Sequence, residues 1–131
     1  MARIRVLLAD NHHPFRERVR GLLGESFEIV GTADNGREAV VTTHRLDPDV
    51  LVIDMSMPVL TGLQVTEQLR AASSRTIVVF LTIEEGQDFV AAALSAGAFG
   101  YVVKADAGTD LVPAIRHALE HRVYVSKSIM L

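Results

Sequence analysis

Five polar side chains stand directly after apolar runs, and their types could together carry phosphoryl chemistry. Asp10 and Asn11 follow "VLLA", Asp54 follows "VLVI", Thr82 follows "TIVVFL", and Lys104 follows "FGYVV". Carboxylate and amide oxygens suit a hard cation such as Mg2+, which is held by one or two carboxylates and keeps several waters. A hydroxyl and an ammonium beside such a site would meet phosphoryl oxygens, and Asp54 would then act as the nucleophile.

Each residue also has a plainer reading. Asp10 and Asp54 could cap loops at strand ends, Thr82 could be an ordinary strand terminator, and Lys104 alone would be a solvated surface lysine. Tyr101 is expected to be a half-buried aromatic. The combination at four strand ends carries the chemical reading, rather than any one member. His12 and His13 next to Asp10 raise a transition-metal site. Adjacent side chains at a strand-to-helix turn seldom face one ion, so that reading is set aside. His44, His117 and His121 are expected on helices, the last two sharing a face at a spacing of four, with no third ligand evident.

The elements that would position these groups follow from hydrophobic patterning. Apolar, β-branched runs at 4–9, 27–33, 50–53, 76–81 and 99–103 predict strands buried on both faces of a parallel sheet. Helical stripes lie between them: Phe15, Val19, Leu22 and Leu23; then Ala39, Val40, Thr43 and Leu46. A weaker third stripe has Leu63, Thr66 and Leu69, with Val65 off the face. Phe89, Ala92, Ala93 and Ala96 make a fourth, and Leu111, Val112, Ile115, Ala118 and Leu119 a fifth. Alternation of strand and helix implies βαβ units with right-handed crossovers. In such a sheet, ligands bind at the carboxyl ends of the strands. Asp34, after the second strand, is expected to one side.

Local punctuation agrees. Pro14 fits the first turn of a helix, "DNG" at 34–36 opens the next, and "DPD" at 47–49 turns the chain into the third strand. Pro113 is harmless if Asp110 caps the fifth helix, and costs a hydrogen bond if that helix starts earlier.

Composition narrows the function classes. The 131 residues suit one domain, and 49% hydrophobic content is enough for one core. A net charge of −3 argues against nucleic acid as the direct partner of this segment. The lack of cysteine excludes disulfides and thiolate metal sites. No stretch is long and apolar enough for a bilayer, and a cytoplasmic location without membrane contact is expected.

"LLADNHHPFRERVRGLL", "PDVLVIDMSMPVLTGLQV", "VVFLTI" and "AGAFGYVVKADA", in this order and spacing, resemble a response-regulator receiver domain of the NarL/FixJ type. The likeness spans about residues 3–122. It implies an α/β, flavodoxin-like (βα)5 doubly wound parallel sheet with strand order 2-1-3-4-5. It also implies a two-component receiver: a switch rather than a turnover enzyme, phosphorylated on Asp54 by a sensor histidine kinase with Mg2+. By that resemblance Asp10, Asn11, Asp54 and the backbone carbonyl of Ser56 would hold the metal. Thr82 and Lys104 would bind phosphoryl oxygens, and Tyr101 would change rotamer with Thr82. Ser56 and Glu84 would tune the lifetime of the phosphoryl group, and Pro58 and Gly62 would shape the loop after the acceptor.

Three positions depart from the pattern. Asn11 stands where the family has a second metal-binding acid, His13–Pro14 where proline and an aliphatic residue are usual, and Ala105 where many receivers have proline. An amide oxygen still ligates a hard cation, so weakened rather than abolished Mg2+ binding is expected. The alternative is a phosphorylation-independent interaction module. An aspartyl-phosphate hydrolase would carry a second acid at position 56, which here is serine. A nucleotide or flavin protein would show a glycine-rich loop after the first strand.

Residues 1–122 are therefore assigned to the receiver. Residues 123–131, "VYVSKSIML", are read as the start of a linker to a DNA-binding helix-turn-helix domain of the LuxR type. The implied partners are the kinase, a second copy of the chain, and DNA through that further domain.

Overall fold

A run such as "VLVI" has no polar face to offer solvent, so it can only sit in the middle of a sheet covered on both sides. The computed structural model, which describes residues 3–129, places it there: Val50, Leu51, Val52 and Ile53 are all buried. The strands are β1 (Ile4–Ala9), β2 (Phe27–Ala33), β3 (Val50–Ile53), β4 (Ile77–Thr82), β5 (Gly100–Val103) and β6 (Tyr124–Val125). All pair in parallel, in the order β2-β1-β3-β4-β5-β6. The first five reproduce the expected 2-1-3-4-5 order. The helices are α1 (His13–Leu23), α2 (Gly36–Leu46), α3 (Gly62–Ala71), α4 (Gln87–Ala96) and α5 (Ala107–Leu119).

Because strand side chains alternate between faces, the sheet has two cores. Val6, Leu8, Val52, Val79, Leu81 and Val102 pack on one face against Val19 and Leu23 of α1 and Leu111, Ala114 and Ile115 of α5. Leu7, Ala9, Leu51, Ile53, Phe80 and Tyr101 pack on the other against Ala39 of α2, Val65 and Leu69 of α3 and Ala93 of α4. Each fully buried Leu or Ile contributes roughly 1.5–3 kcal/mol relative to exposure. Among the described residues, no helix is long and apolar enough to cross a membrane.

The local signals largely act as read. Pro14 lies in the first turn of α1, and Asn35 caps α2 by accepting the Glu38 N–H at 2.8 Å. Thr61 and Gln64 form a reciprocal capping box at the start of α3, with bonds of 3.2 and 2.9 Å.

Several expectations require correction. Val65 is fully buried rather than off the stripe, because both sheet and neighbouring helices surround α3. Phe89 is 41% exposed, and Val90 takes the packing position instead. Thr82 is the last residue of β4, not the first after it, while Thr76 precedes the strand and donates its hydroxyl to the Pro48 carbonyl. The helix α5 begins at Ala107, so Pro113 lies inside it and Asp110 is no cap; Asp110 is buried and accepts the Tyr124 hydroxyl at 3.0 Å. His121 lies beyond α5 in a left-handed turn (φ 59°) against Phe99, whereas His117 faces Tyr124. Finally, Tyr124–Val125 add a sixth strand that the sequence patterning did not reveal.

Candidate functional site

The pairing of β1 with β3 sets two acids side by side. Ala9 is in register with Ile53, and the Asp54 N–H donates to the Ala9 carbonyl at 3.0 Å. Asp10 and Asp54 are each 7% exposed. Each turns one carboxylate oxygen back to an amide two residues ahead: Asp10 Oδ1 accepts the His12 N–H at 2.8 Å, and Asp54 Oδ1 the Ser56 N–H at 3.2 Å. These local turns fix both carboxyl groups.

The remaining oxygens share one ammonium. Lys104 Nζ is 2.8 Å from Asp10 Oδ2 and 3.0 Å from Asp54 Oδ2. Lys104 follows β5, which is separated from β3 by β4, so its stem must cross two strand spacings, roughly 10 Å. The Phe15 ring of α1 supports it, with Nζ 4.7 Å from the ring centroid. Burial by itself would lower the Lys104 pKa, but the hydrogen bonds and charges of Asp10 and Asp54 outweigh it and raise the value above the usual lysine range. The ammonium is therefore kept charged. Two carboxylates and one ammonium leave the cluster with a net negative charge.

Thr82 ends β4, between the strands that carry Asp54 and Lys104. It is fully buried, and its Oγ accepts the Glu84 N–H at 3.3 Å while its own hydrogen remains a donor. The carbonyl of the same Glu84 accepts the Tyr101 hydroxyl at 2.7 Å. Thr82 and Tyr101 are thus joined through the backbone of one residue, Glu84, in the β4–α4 loop. Tyr101 is fully buried, not half-buried as expected, and stacks on Phe80 with ring centroids 6.0 Å apart. Burial first, and then the charges of Glu84 and Asp54, push its phenol up to about 12.

The loop after Asp54 is tied down by close backbone approach. The Pro58 carbonyl accepts the N–H groups of Gly36 and Leu60, at 3.0 and 2.9 Å. A Cβ on Gly36 would lie 2.1 Å from the Leu60 carbonyl oxygen, and one on Gly62 would lie 2.6 Å from the Asp54 carbonyl oxygen. Both positions require glycine for space. Ser56 and Asn11 are exposed at the rim of the site, and Glu84 is half-buried.

The histidines do not join it. His13 Nε2 is 2.9 Å from Asp34 Oδ1, which also pairs with Arg16 at 2.7 Å. The His13 hydrogen bond, followed against a burial penalty by the charges of Arg16 and His13, holds Asp34 below the usual carboxylate range. Among the described residues, no group of three His, Cys, Asp or Glu side chains could hold a metal. The donor set nonetheless fits magnesium, which requires only one or two carboxylates plus water: Asp10 and Asp54 are adjacent, all-oxygen and only partly neutralised by Lys104. Sequence patterning places Phe15 in a helical stripe and Gly36 in a helix-opening turn; their positions under the lysine and under the loop come from the structure.

Comparison with known proteins gives a consistent result. The response regulator receiver domain family matches residues 6–116. The response regulator GacA of Pseudomonas viridiflava is 34% identical over 128 residues, covering 96% of this chain and 60% of that protein. The nitrate/nitrite response regulator protein NarL of Escherichia coli strain K12 is 31% identical over 126 residues, covering 95% and 58% respectively. The chain thus spans about three fifths of these relatives. Among solved structures, the signal receiver domain of a NarL response regulator from Mycobacterium tuberculosis superimposes with a TM-score of 0.88 at 31% identity, covering 93% of this chain and 100% of that one. A two-component response regulator of the LuxR family from Aurantimonas sp. SI85-9A1 gives 0.92 at 30% identity, covering 98% and 93%.

Proposed function

The chain belongs to the response regulator receiver domain family, and from that premise we propose that it is a phosphorylation switch whose acceptor is Asp54. It is a receiver of two-component signalling that resembles the NarL/FixJ type. The observation that carries the reading is the single Lys104 ammonium bridging Asp10 and Asp54 beside the buried Thr82 hydroxyl. One ammonium only partly neutralises the two carboxylates, so the cluster would take up a divalent cation, and with that cation an anionic phosphoryl group.

A carboxylate oxygen of Asp54 attacks the phosphorus of a kinase phosphohistidine. The P–O bond forms as the P–N bond breaks, and the electron pair returns to the imidazole. Asp10, Asp54, the Asn11 side-chain oxygen and the Ser56 carbonyl would hold magnesium, whose charge would offset repulsion between the phosphoryl group and the carboxylates. Lys104 has three N–H donors, so one can turn to a phosphoryl oxygen while Asp10 retains another. Thr82 donates its hydroxyl hydrogen to a second oxygen. That engagement draws on the Glu84 N–H, and the carbonyl of the same residue holds the Tyr101 hydroxyl, so occupancy at Asp54 reaches the β4–α4 loop. Ser56 and the Glu84 side chain flank the approach of water and tune the lifetime of the adduct.

Asp54 is consumed and regenerated, so the domain is a phosphoacceptor rather than a turnover enzyme. The kinase is its upstream partner. Relatives extending well beyond the matched segment support membership of a longer LuxR-type regulator, in which DNA contact belongs to a C-terminal domain and a second copy pairs at the operator. The test is incubation with a small acyl phosphate over a magnesium series, read by intact mass. One phosphoryl adduct, lost in Asp54→Asn, is expected. Failure to form it at any magnesium level in folded protein overturns the switch, and an adduct that survives Asp54→Asn identifies a different acceptor.

A further inference from the structure

We propose that Ser126 is a positioning residue for Lys104, which makes the segment after α5 a working part of the phosphorylation site. The inference rests on Asp54 being the phosphoacceptor. The strand β6 lies against β5 with Gly100 opposite Tyr124 and Tyr101 opposite Val125. The Tyr124 N–H donates to the Phe99 carbonyl and the Ser126 N–H to the Tyr101 carbonyl, both at 2.9 Å. The next group along β5 in need of a partner is the Val103 N–H, directly before Lys104. A backbone carbonyl of β6 would ordinarily supply it. Here the chain bends into a 3-10 turn at Lys127–Ile129, and the Ser126 carbonyl accepts the Ile129 N–H instead. The Ser126 hydroxyl takes its place, accepting the Val103 N–H at 2.9 Å.

Ser126 is fully buried, as is Val103 nearly so, and water cannot substitute for the lost bond. Two further contacts brace the same stretch. Ser128 Oγ bonds to Asp106, in the turn that begins with Lys104, and Tyr124 OH bonds to Asp110. Residues 124–128 therefore hold the Val103 backbone just before Lys104 and the Asp106 and Asp110 side chains just after it. Lys104 reaches Asp10 and Asp54 across β4 on an extended stem, so a shift of its Cα is transmitted to Nζ, where reaction geometry is sensitive to displacements of about 1 Å. Coupling of this kind is reciprocal: engagement of Lys104 by a phosphoryl group acts on the 124–128 segment, through which the chain continues.

The experiment is acyl-phosphate labelling of the full 131-residue chain at saturating magnesium, with initial rates normalised to folded protein by circular dichroism. Ser126→Ala is expected to slow adduct formation about tenfold, and Ser126→Thr, which keeps the hydroxyl, to restore most of the rate. In a Lys104→Met background, Ser126→Ala is expected to have no further effect. An unchanged rate in Ser126→Ala, or an equal loss with and without Lys104, overturns the proposal. A second measurement needs no variant: on phosphorylation of the unaltered chain, the amide NMR signals of Val103 and Ser126 shift together with that of Lys104. Signals of Val103 and Ser126 that stay in place overturn it as well. An unaltered chain that forms no adduct removes the phosphoacceptor reading and this inference with it; a normal adduct with an indifferent Ser126 removes this inference alone.

Discussion

Replacing Asn11 by aspartate asks how much the site lacks with one carboxylate fewer. Residue 11 is exposed and directly follows Asp10, which already shares Lys104 with Asp54. Aspartate at this position makes the cluster more negative by one unit. Two unit charges 4 Å apart interact by about 1 kcal/mol in water and about 4 kcal/mol near a protein surface. A divalent ion doubles the figure, but exposure keeps the effective dielectric high and ligand desolvation opposes the gain. A net of about 1–2 kcal/mol follows, so the magnesium midpoint should fall roughly 5- to 30-fold. The same charge works against folding when no metal is bound, since a third carboxylate then faces two others with one ammonium among them. Asn11→Asp should therefore be less stable by about 0.5–1 kcal/mol without magnesium and gain more from its addition. The chain contains no tryptophan, so titration calorimetry or the amide shifts of residues 10 and 11 report binding, and urea unfolding with and without magnesium reports linkage. An unchanged midpoint, or a metal-free variant as stable as its parent, would refute the argument that residue 11 faces the metal.

Gly36→Ala should destabilise the protein by about 1–3 kcal/mol in urea unfolding, because the added methyl would meet the Leu60 backbone, which cannot move without shifting the loop after Asp54; full stability would mean that the loop is not docked on α2 as described. Stability should also fall in alkali. Tyr101 is raised to about 12 in the folded chain, from 10 when unfolded, so its contribution is intact below pH 10 and is lost as pH rises toward 12, up to about 2–3 kcal/mol. Lys104, raised as well, acts in the same direction. Comparing the pH dependence of urea midpoints for Tyr101→Phe and its parent isolates the phenol, and identical slopes would rule out its burial as the cause.

The strand ends were legible because the two signals that mark them are local. A β-branched apolar run declares a strand, and its first polar neighbour declares the end. Crossovers between parallel strands then bring every such end to one edge, which is why Asp10, Asp54, Thr82 and Lys104 group together on patterning alone. The helix opening at "DNG" is local in the same way, since Asn35 lies within a turn of the Glu38 N–H it caps, while the Thr61–Gln64 capping box is an addition from the structure.

What resisted reading depends on partners distant in the chain. Val65 has a polar-looking helical position, yet α3 is enclosed from two directions. Pro113 is tolerated inside α5 because tertiary packing of Leu111, Ala114 and Ile115 outweighs one missing hydrogen bond. The two residues of β6 carry no periodicity; they form a strand only because β5 presents free backbone groups beside them.

The sequence by itself determined the topology and the set of chemical groups at the strand ends, since both follow from patterning over a few residues. Only the tertiary structure decided that one ammonium would serve two carboxylates, that the backbone of Glu84 would join Thr82 to Tyr101, and that Ser126 would close the ladder before Lys104. Those arrangements depend on which strands lie next to each other and on where the backbone runs out of partners, and neither is written in the spacing of any one segment.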